Sequence, residues 1–170
     1  MRTVRWGVAV LLVLGFVLGF GVMALAQNAL SSEVTYWGPV NVNGTYWCGK
    51  VQAEVISNSG PSPWRPPNGG STSWSYTYTG LQCGGNHNAP AGYLGAQVHL
   101  VKTDGTLCGS TAWSFNGVAA HYQESDLWLS PSSSCPANGT YHGSAHAEHW
   151  NPNTNQYVQS NWVNSPNLGF

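Results

Sequence analysis

The chain has 170 residues, of which five are Lys or Arg and six Asp or Glu, so charged residues make up 6% of it, against about 25% in an ordinary soluble domain. So few cations leave no basic footprint for nucleic acid, and solubility has to rest on Ser, Thr, Asn, Gln and Gly. Nine Trp and eight Tyr make the chain rich in rings instead.

Arg2 and Arg5 precede an uncharged apolar run that ends in Ala24-Leu25-Ala26. This is the pattern of a secretory signal peptide over residues 1–26 with an A-x-A cleavage site, and the mature chain is expected to begin at Gln27. The alternative is an uncleaved anchor that leaves the protein facing outside, because Trp6 to Ala26 is about 20 uncharged residues, enough to span a bilayer. After cleavage no membrane association is expected. Residues 27–170 carry three cations (Lys50, Arg65, Lys102) against six acids, a net charge of −3, and their length suits one core, so a single secreted β domain is expected.

Val34 to Val42 reads as an edge strand interrupted by Gly38-Pro39, since proline cannot donate to a ladder. Asn43-Gly44 turns it into Thr45 to Ser57, where Trp47, Val51, Ala53 and Val55 alternate with Lys50, Gln52 and Glu54. Ser57 to Ser73 holds four prolines and is expected to be a loop carrying Trp64 and Arg65. In the next strand Trp74, Tyr76 and Tyr78 share one face and Ser73, Ser75, Thr77 and Thr79 the other. A sheet must bury one face, and the aromatic stripe is the expected core face, with a sugar-stacking platform as its alternative.

Tyr93 to Asn116 reads as one hairpin closed by Asp104-Gly105, a preferred centre of a two-residue type I′ turn. That register sets Leu100 opposite Gly109, Val98 opposite Thr111, Ala96 opposite Trp113 and Leu94 opposite Phe115, which implies a Trp-centred core. Val118 to Glu124 and Asp126 to Leu129 follow as short segments, and Thr140 to Trp150 with Gln156 to Val163 form a last hairpin. No helical spacing occurs after residue 30. About eight or nine short strands of this kind imply an all-β chain, an antiparallel β-sandwich or a jelly-roll-like fold.

Cys48, Cys83, Cys108 and Cys135 all lie in the exported part, so two disulfides are expected. Three connectivities are open, and strand facing favours Cys108 with Cys135 and Cys48 with Cys83. No CxxC motif is present.

For binding, sugar C–H faces stack on indole and phenol rings while Asn, Gln and Ser supply uncharged hydrogen bonds. Trp64 beside Arg65 in the proline-rich loop is the first candidate, followed by Trp150 and Trp162. For a metal, His146 and Glu148 share a strand face, with His99 or His121 as a third ligand from a neighbouring strand. For glycoside hydrolysis the available acids are Glu54, Glu124, Asp126 and Glu148, of which Glu124 and Asp126 share parity. No motif calls for a cofactor. The leading expectation is a secreted non-catalytic module that binds carbohydrate or a cell-envelope polymer. A structural, self-associating surface protein is the second expectation, because the charges that block edge-to-edge pairing are scarce. A secreted hydrolase, glycosidic or metal-dependent, is the third.

Overall fold

The computed structural model describes residues 27–57 and 68–170. The expected signal peptide, Trp64 and Arg65 lie outside the described residues. The chain is all-β, with thirteen strands among the described residues: β1 (Asn28–Leu30), β2 (Val34–Val42), β3 (Thr45–Ile56), β4 (Gly70–Thr79), β5 (Gly85–Asn86), β6 (Leu94–Lys102), β7 (Leu107–Ser110), β8 (Ser114–Phe115), β9 (Tyr122–Trp128), β10 (Thr140–Asn151), β11 (Gln156–Gln159), β12 (Val163–Asn164) and β13 (Leu168–Gly169). Eight or nine was an undercount because the outermost strands are broken. β3, β4, β6 and β10 run unbroken, and each outer edge is shared by short pieces. In one sheet β1 and β2 take turns along β3, and β5 and β9 along β4; in the other β11, β12 and β13 line β10, and β7 and β8 line β6. All pairings are antiparallel. The two segments expected at 118–129 are in fact the single strand β9, which pairs with β4 from Gly70↔Trp128 to Tyr76↔Tyr122.

Turn chemistry works as the residues dictate in one hairpin and differently in another. Asn43 and Gly44 both have positive φ, 51° and 87°, and join Val42 to Thr45 in a two-residue turn. At Asp104-Gly105 only the glycine has positive φ. Lys102 and Thr106 close a three-residue loop through Gly105 N–H to Lys102 O (2.8 Å) and Lys102 N–H to Thr106 O (2.9 Å), with the Asp104 side chain accepting from Thr106 N–H. A register shift between Leu100 and Val101 leaves Cys108 as a bulged residue and restores the register that a two-residue turn would have set. Leu100 still faces Gly109. Beyond it the partner of Ala96 is Ser114, not Trp113, and a one-residue slip exchanges the two faces of a strand. Trp113 is thereby turned out of the core.

The two sheets face each other across small side chains. Val51, Ala53 and Val55 of β3 meet Ala145, Ala147 and Tyr141 of β10, with Leu100, Leu129 and Cys135 completing the apolar interior. At Gly143 the sheets come so close that an added Cβ would run into the Glu54 carbonyl oxygen and lie 3.0 Å from the Ser71 Cβ. This closeness decides the orientation of β4 and corrects the expected core. Ser71, Ser73, Ser75 and Thr77 are buried, while Trp74, Tyr76 and Tyr78 are turned outward. The hydroxyls reach across the interface: Ser71 Oγ donates to His99 O (3.2 Å) and Ser75 Oγ to Glu148 O (3.3 Å). A row of rings would not fit where alanines and a glycine set the separation. The core is therefore not centred on Trp; among the described residues only Trp37 of the tryptophans is buried.

Cys48 is joined to Cys83, tying β3 to the loop after β4, and Cys108 to Cys135, tying β7 to the loop before β10. Two such bonds belong to an oxidising, extracellular setting. No helix among the described residues is long and apolar enough to cross a membrane.

Candidate functional site

Volume kept out of the interior has to go outside, and the outer face of the β6–β10 sheet collects a large share of it. Along β10, His142, Ser144, His146, Glu148 and Trp150 alternate with the buried Tyr141, Ala145, Ala147 and His149. Across the ladder His146 sits beside Gln97 and Glu148 beside Gly95. The broken edges then deliver rings from both sides: Trp113 from the link between β7 and β8, Phe115 from β8, Tyr157 from β11, and Trp162 from the link between β11 and β12. Eight rings follow one another in the order Tyr93, Trp150, Tyr157, Phe115, Trp113, His146, Trp162, His99. Successive centroids lie 4.0–6.4 Å apart. Phe115, Tyr157 and Trp162 stand about 40% exposed (41%, 39% and 41%), which leaves ring faces open to a ligand.

The polar groups within the band are fixed by hydrogen bonds. Glu148 is 5% exposed and its Oε2 accepts from Gln159 Nε2 (3.0 Å). It lies in the space left by Gly95, where an added Cβ would meet Glu148 Cγ at 2.7 Å and Phe115 Cε1 at 3.0 Å. The missing side chain of Gly95 is what seats both the carboxylate and the ring. His146 Nε2–H donates to Ser160 O (2.8 Å), Gln97 Nε2 to Thr111 O (2.9 Å), and Tyr157 OH to Gly92 O (2.6 Å). His99 is stacked on Trp162 at 4.0 Å. Burial, then the neighbouring His146, holds its basicity below the ordinary histidine value, so at neutral pH the ring is uncharged. The band is a nearly neutral strip of rings with amide and imidazole hydrogen-bonders between them. A cavity of about 280 Å³ opens at the sheet edge nearby, lined by Tyr36, Val51, Gln159, Asn161 and Val163 among others. It is smaller than the roughly 300–1,000 Å³ of ordinary small-molecule pockets, and the exposed band is the larger feature.

Of the residues singled out in the sequence, Trp150 and Trp162 both belong to the band. His99 and His146 both lie against Trp162, with centroids 4.0 and 4.6 Å away, and Glu148 is engaged with Gln159. His121 is elsewhere. It donates from Nδ1 to His87 O (3.0 Å) and stands edge-on to Tyr78, beside the other sheet. No group of three or more His, Cys, Asp or Glu side chains is placed to hold a metal ion among the described residues. Glu54, Glu124 and Asp126 share the outer face of the β3–β4–β9 sheet, remote from Glu148 on the opposite side of the protein.

Trp113, Phe115, Tyr157 and Tyr93 were not singled out. Tyr157 had a readable signal, the alternation of Gln156 to Gln159 beside Trp150, to which it is paired. Trp113 had none, because its facing depends on the one-residue slip between β7 and β8. No family model, curated protein or solved structure matches this chain.

Proposed function

We propose that the chain is a secreted β-sandwich module that binds a neutral carbohydrate or cell-envelope polymer along the outer face of its β6–β10 sheet. The observation that carries this reading is the run of eight rings, open at Phe115, Tyr157 and Trp162 and interleaved with Gln97, His146 and Gln159. A pyranose offers a C–H face to each ring and hydroxyls to the amides. A rigid sheet holds both sets in place before the ligand arrives, which lowers the ordering cost of binding.

The test is a pull-down of the oxidised protein on a panel of neutral polysaccharides and cell-wall fractions, followed by titration under Trp fluorescence. Trp162→Ala is expected to weaken binding about 30-fold, the equivalent of roughly 2 kcal/mol for an aromatic anchor. A protein that binds no glycan and instead sediments as a concentration-dependent oligomer, with Trp162→Ala dissociating it, would move the band to a self-association surface. An unchanged affinity in Trp162→Ala would place the ligand elsewhere.

A further inference from the structure

The opposite face of the protein is also aromatic, but its chemistry differs. On β4, Trp74, Tyr76 and Tyr78 point outward in succession, and Tyr122 of β9 stands beside Tyr76 with centroids 6.0 Å apart; Tyr76 and Tyr78 are 6.1 Å apart. Alternate residues on a strand recur at roughly 6.6–7 Å, so the rings form a regularly spaced row. Four of the chain's six acids share this face: Glu33, Glu54, Glu124 and Asp126. The ring band on the other sheet holds only Glu148.

The face already receives an ammonium group from the protein itself. Lys50 Nζ sits 4.1 Å from the centre of the Tyr78 ring and 3.2 Å from Glu33 Oε2, while Tyr78 OH donates to the same carboxylate (3.0 Å). A ring, a carboxylate and an ammonium are thus arranged as a cation–π site uses them. Two rows further along β4 a ring and a carboxylate recur without an ammonium. Trp74 pairs with Glu124, and Asp126 follows, accepting from Thr72 Oγ1 (2.7 Å). No lysine or arginine accompanies Glu124 and Asp126 among the described residues. Burial, then the Asp126 charge, pushes the Glu124 carboxyl up, as expected of an acid lacking a cation.

We propose that this face binds a polymer of hexosamine units carrying free ammonium groups, with sugar faces on Trp74, Tyr76 and Tyr122 and ammonium groups against Glu124 and Asp126. The proposal rests on the reading of the chain as a glycan-binding module, and it adds a second ligand class on a second face. Such a module would hold a neutral chain on one side and a de-N-acetylated chain on the other.

The test titrates the wild-type protein with a fully de-N-acetylated glucosamine hexamer, its N-acetylated counterpart and hexalysine, by calorimetry at two salt concentrations. The de-N-acetylated hexamer is expected to bind about tenfold more tightly than the N-acetylated one, the scale of one desolvated cation–π contact, and to weaken with salt. Tyr76→Ala is expected to reduce that affinity about tenfold and Glu124→Gln severalfold, while Trp162→Ala leaves it unchanged. Glu124→Gln preserves shape and so separates lost recognition from lost folding. Equal affinity for both hexamers, equal or tighter binding of hexalysine, or loss of binding in Trp162→Ala but not in Tyr76→Ala or Glu124→Gln would each overturn the proposal. Failure of the neutral polysaccharides to bind would remove the function assigned to the ring band without affecting these results.

Discussion

Lowering the pH from 7 to 4 offers a proton to His149 that the unfolded chain accepts and the folded protein refuses. His149 is fully buried where the two sheets meet, 4.4 Å from Trp37 and 6.1 Å from Trp47 between ring centroids. Its Nδ1–H donates to Trp150 O (2.8 Å), and Nε2 accepts from the Thr77 hydroxyl at 3.2 Å. Both hydrogen bonds fit the neutral ring with its proton on Nδ1. Burial, reinforced by the neighbouring His87, lowers its pKa from 6.5 to about 4. A histidine with a depressed folded pKa contributes stability that is fully present above the unfolded value and is lost as pH falls from about 6.5 to about 4. At 1.36 kcal/mol per unit the loss is roughly 3 kcal/mol, a large part of the 5–15 kcal/mol typical of a domain. The assay is urea unfolding of wild type and His149→Gln at half-unit steps from pH 7 to 4. The gap between the two midpoints isolates His149, because His87 and the carboxylates titrate in both proteins. With a slope of about 1–3 kcal/mol per molar urea, the gap is expected to move by about 1–3 M against the wild type as pH falls. A gap that stays constant would refute the assignment of a neutral, buried His149.

Three further changes test the packing. Gly95→Ala is expected to cost about 1–3 kcal/mol, because the new methyl lands on Glu148 and Phe115; urea midpoints read the cost, and polysaccharide titration should show weaker binding at the displaced ring. Ser73→Ala and Ser75→Ala should move in opposite directions by about 1 kcal/mol. The Ser73 hydroxyl is buried without a hydrogen-bond partner and its removal stabilises, whereas Ser75 loses its bond to the Glu148 carbonyl; thermal melts of the pair distinguish them. Replacing Cys108 and Cys135 together by Ala should lower stability by about 3–4 kcal/mol for a loop of 27 residues, measured by urea unfolding.

The strands themselves were legible because their alternation is local. Val51, Ala53 and Val55, and Leu94 to Leu100, show their buried face in the sequence alone. In β4 the alternation is just as clear, yet its direction was not. Hydroxyls and rings can each be the inner set, and the choice is made by Gly143, Ala145 and Ala147, some 70 residues away, which bring the sheets too close for rings. The hairpin shows a second kind of loss. Asp104-Gly105 announces a turn, but the loop has three residues, a bulge at Cys108 offsets that step, and a further one-residue slip between β7 and β8 carried Trp113 from the expected core to the ring band. Trp150 and Trp162 could be picked from composition and position. Their joining with Trp113, Phe115 and Tyr157 needed the broken edges of the sheet, which no short-range pattern encodes.

An interior in which serine, threonine, alanine and glycine share the space with the aliphatic core has a thermal consequence. Unfolding exposes polar hydroxyl and peptide surface along with the aliphatic core, and the two change the heat capacity of the surrounding water in opposite senses. The heat-capacity increment of this protein should therefore fall below the roughly 12–15 cal/mol/K per residue usual for globular domains. Its stability curve is correspondingly broad and flat: cooling removes little of the force that holds the sheets together, and warming erodes it slowly.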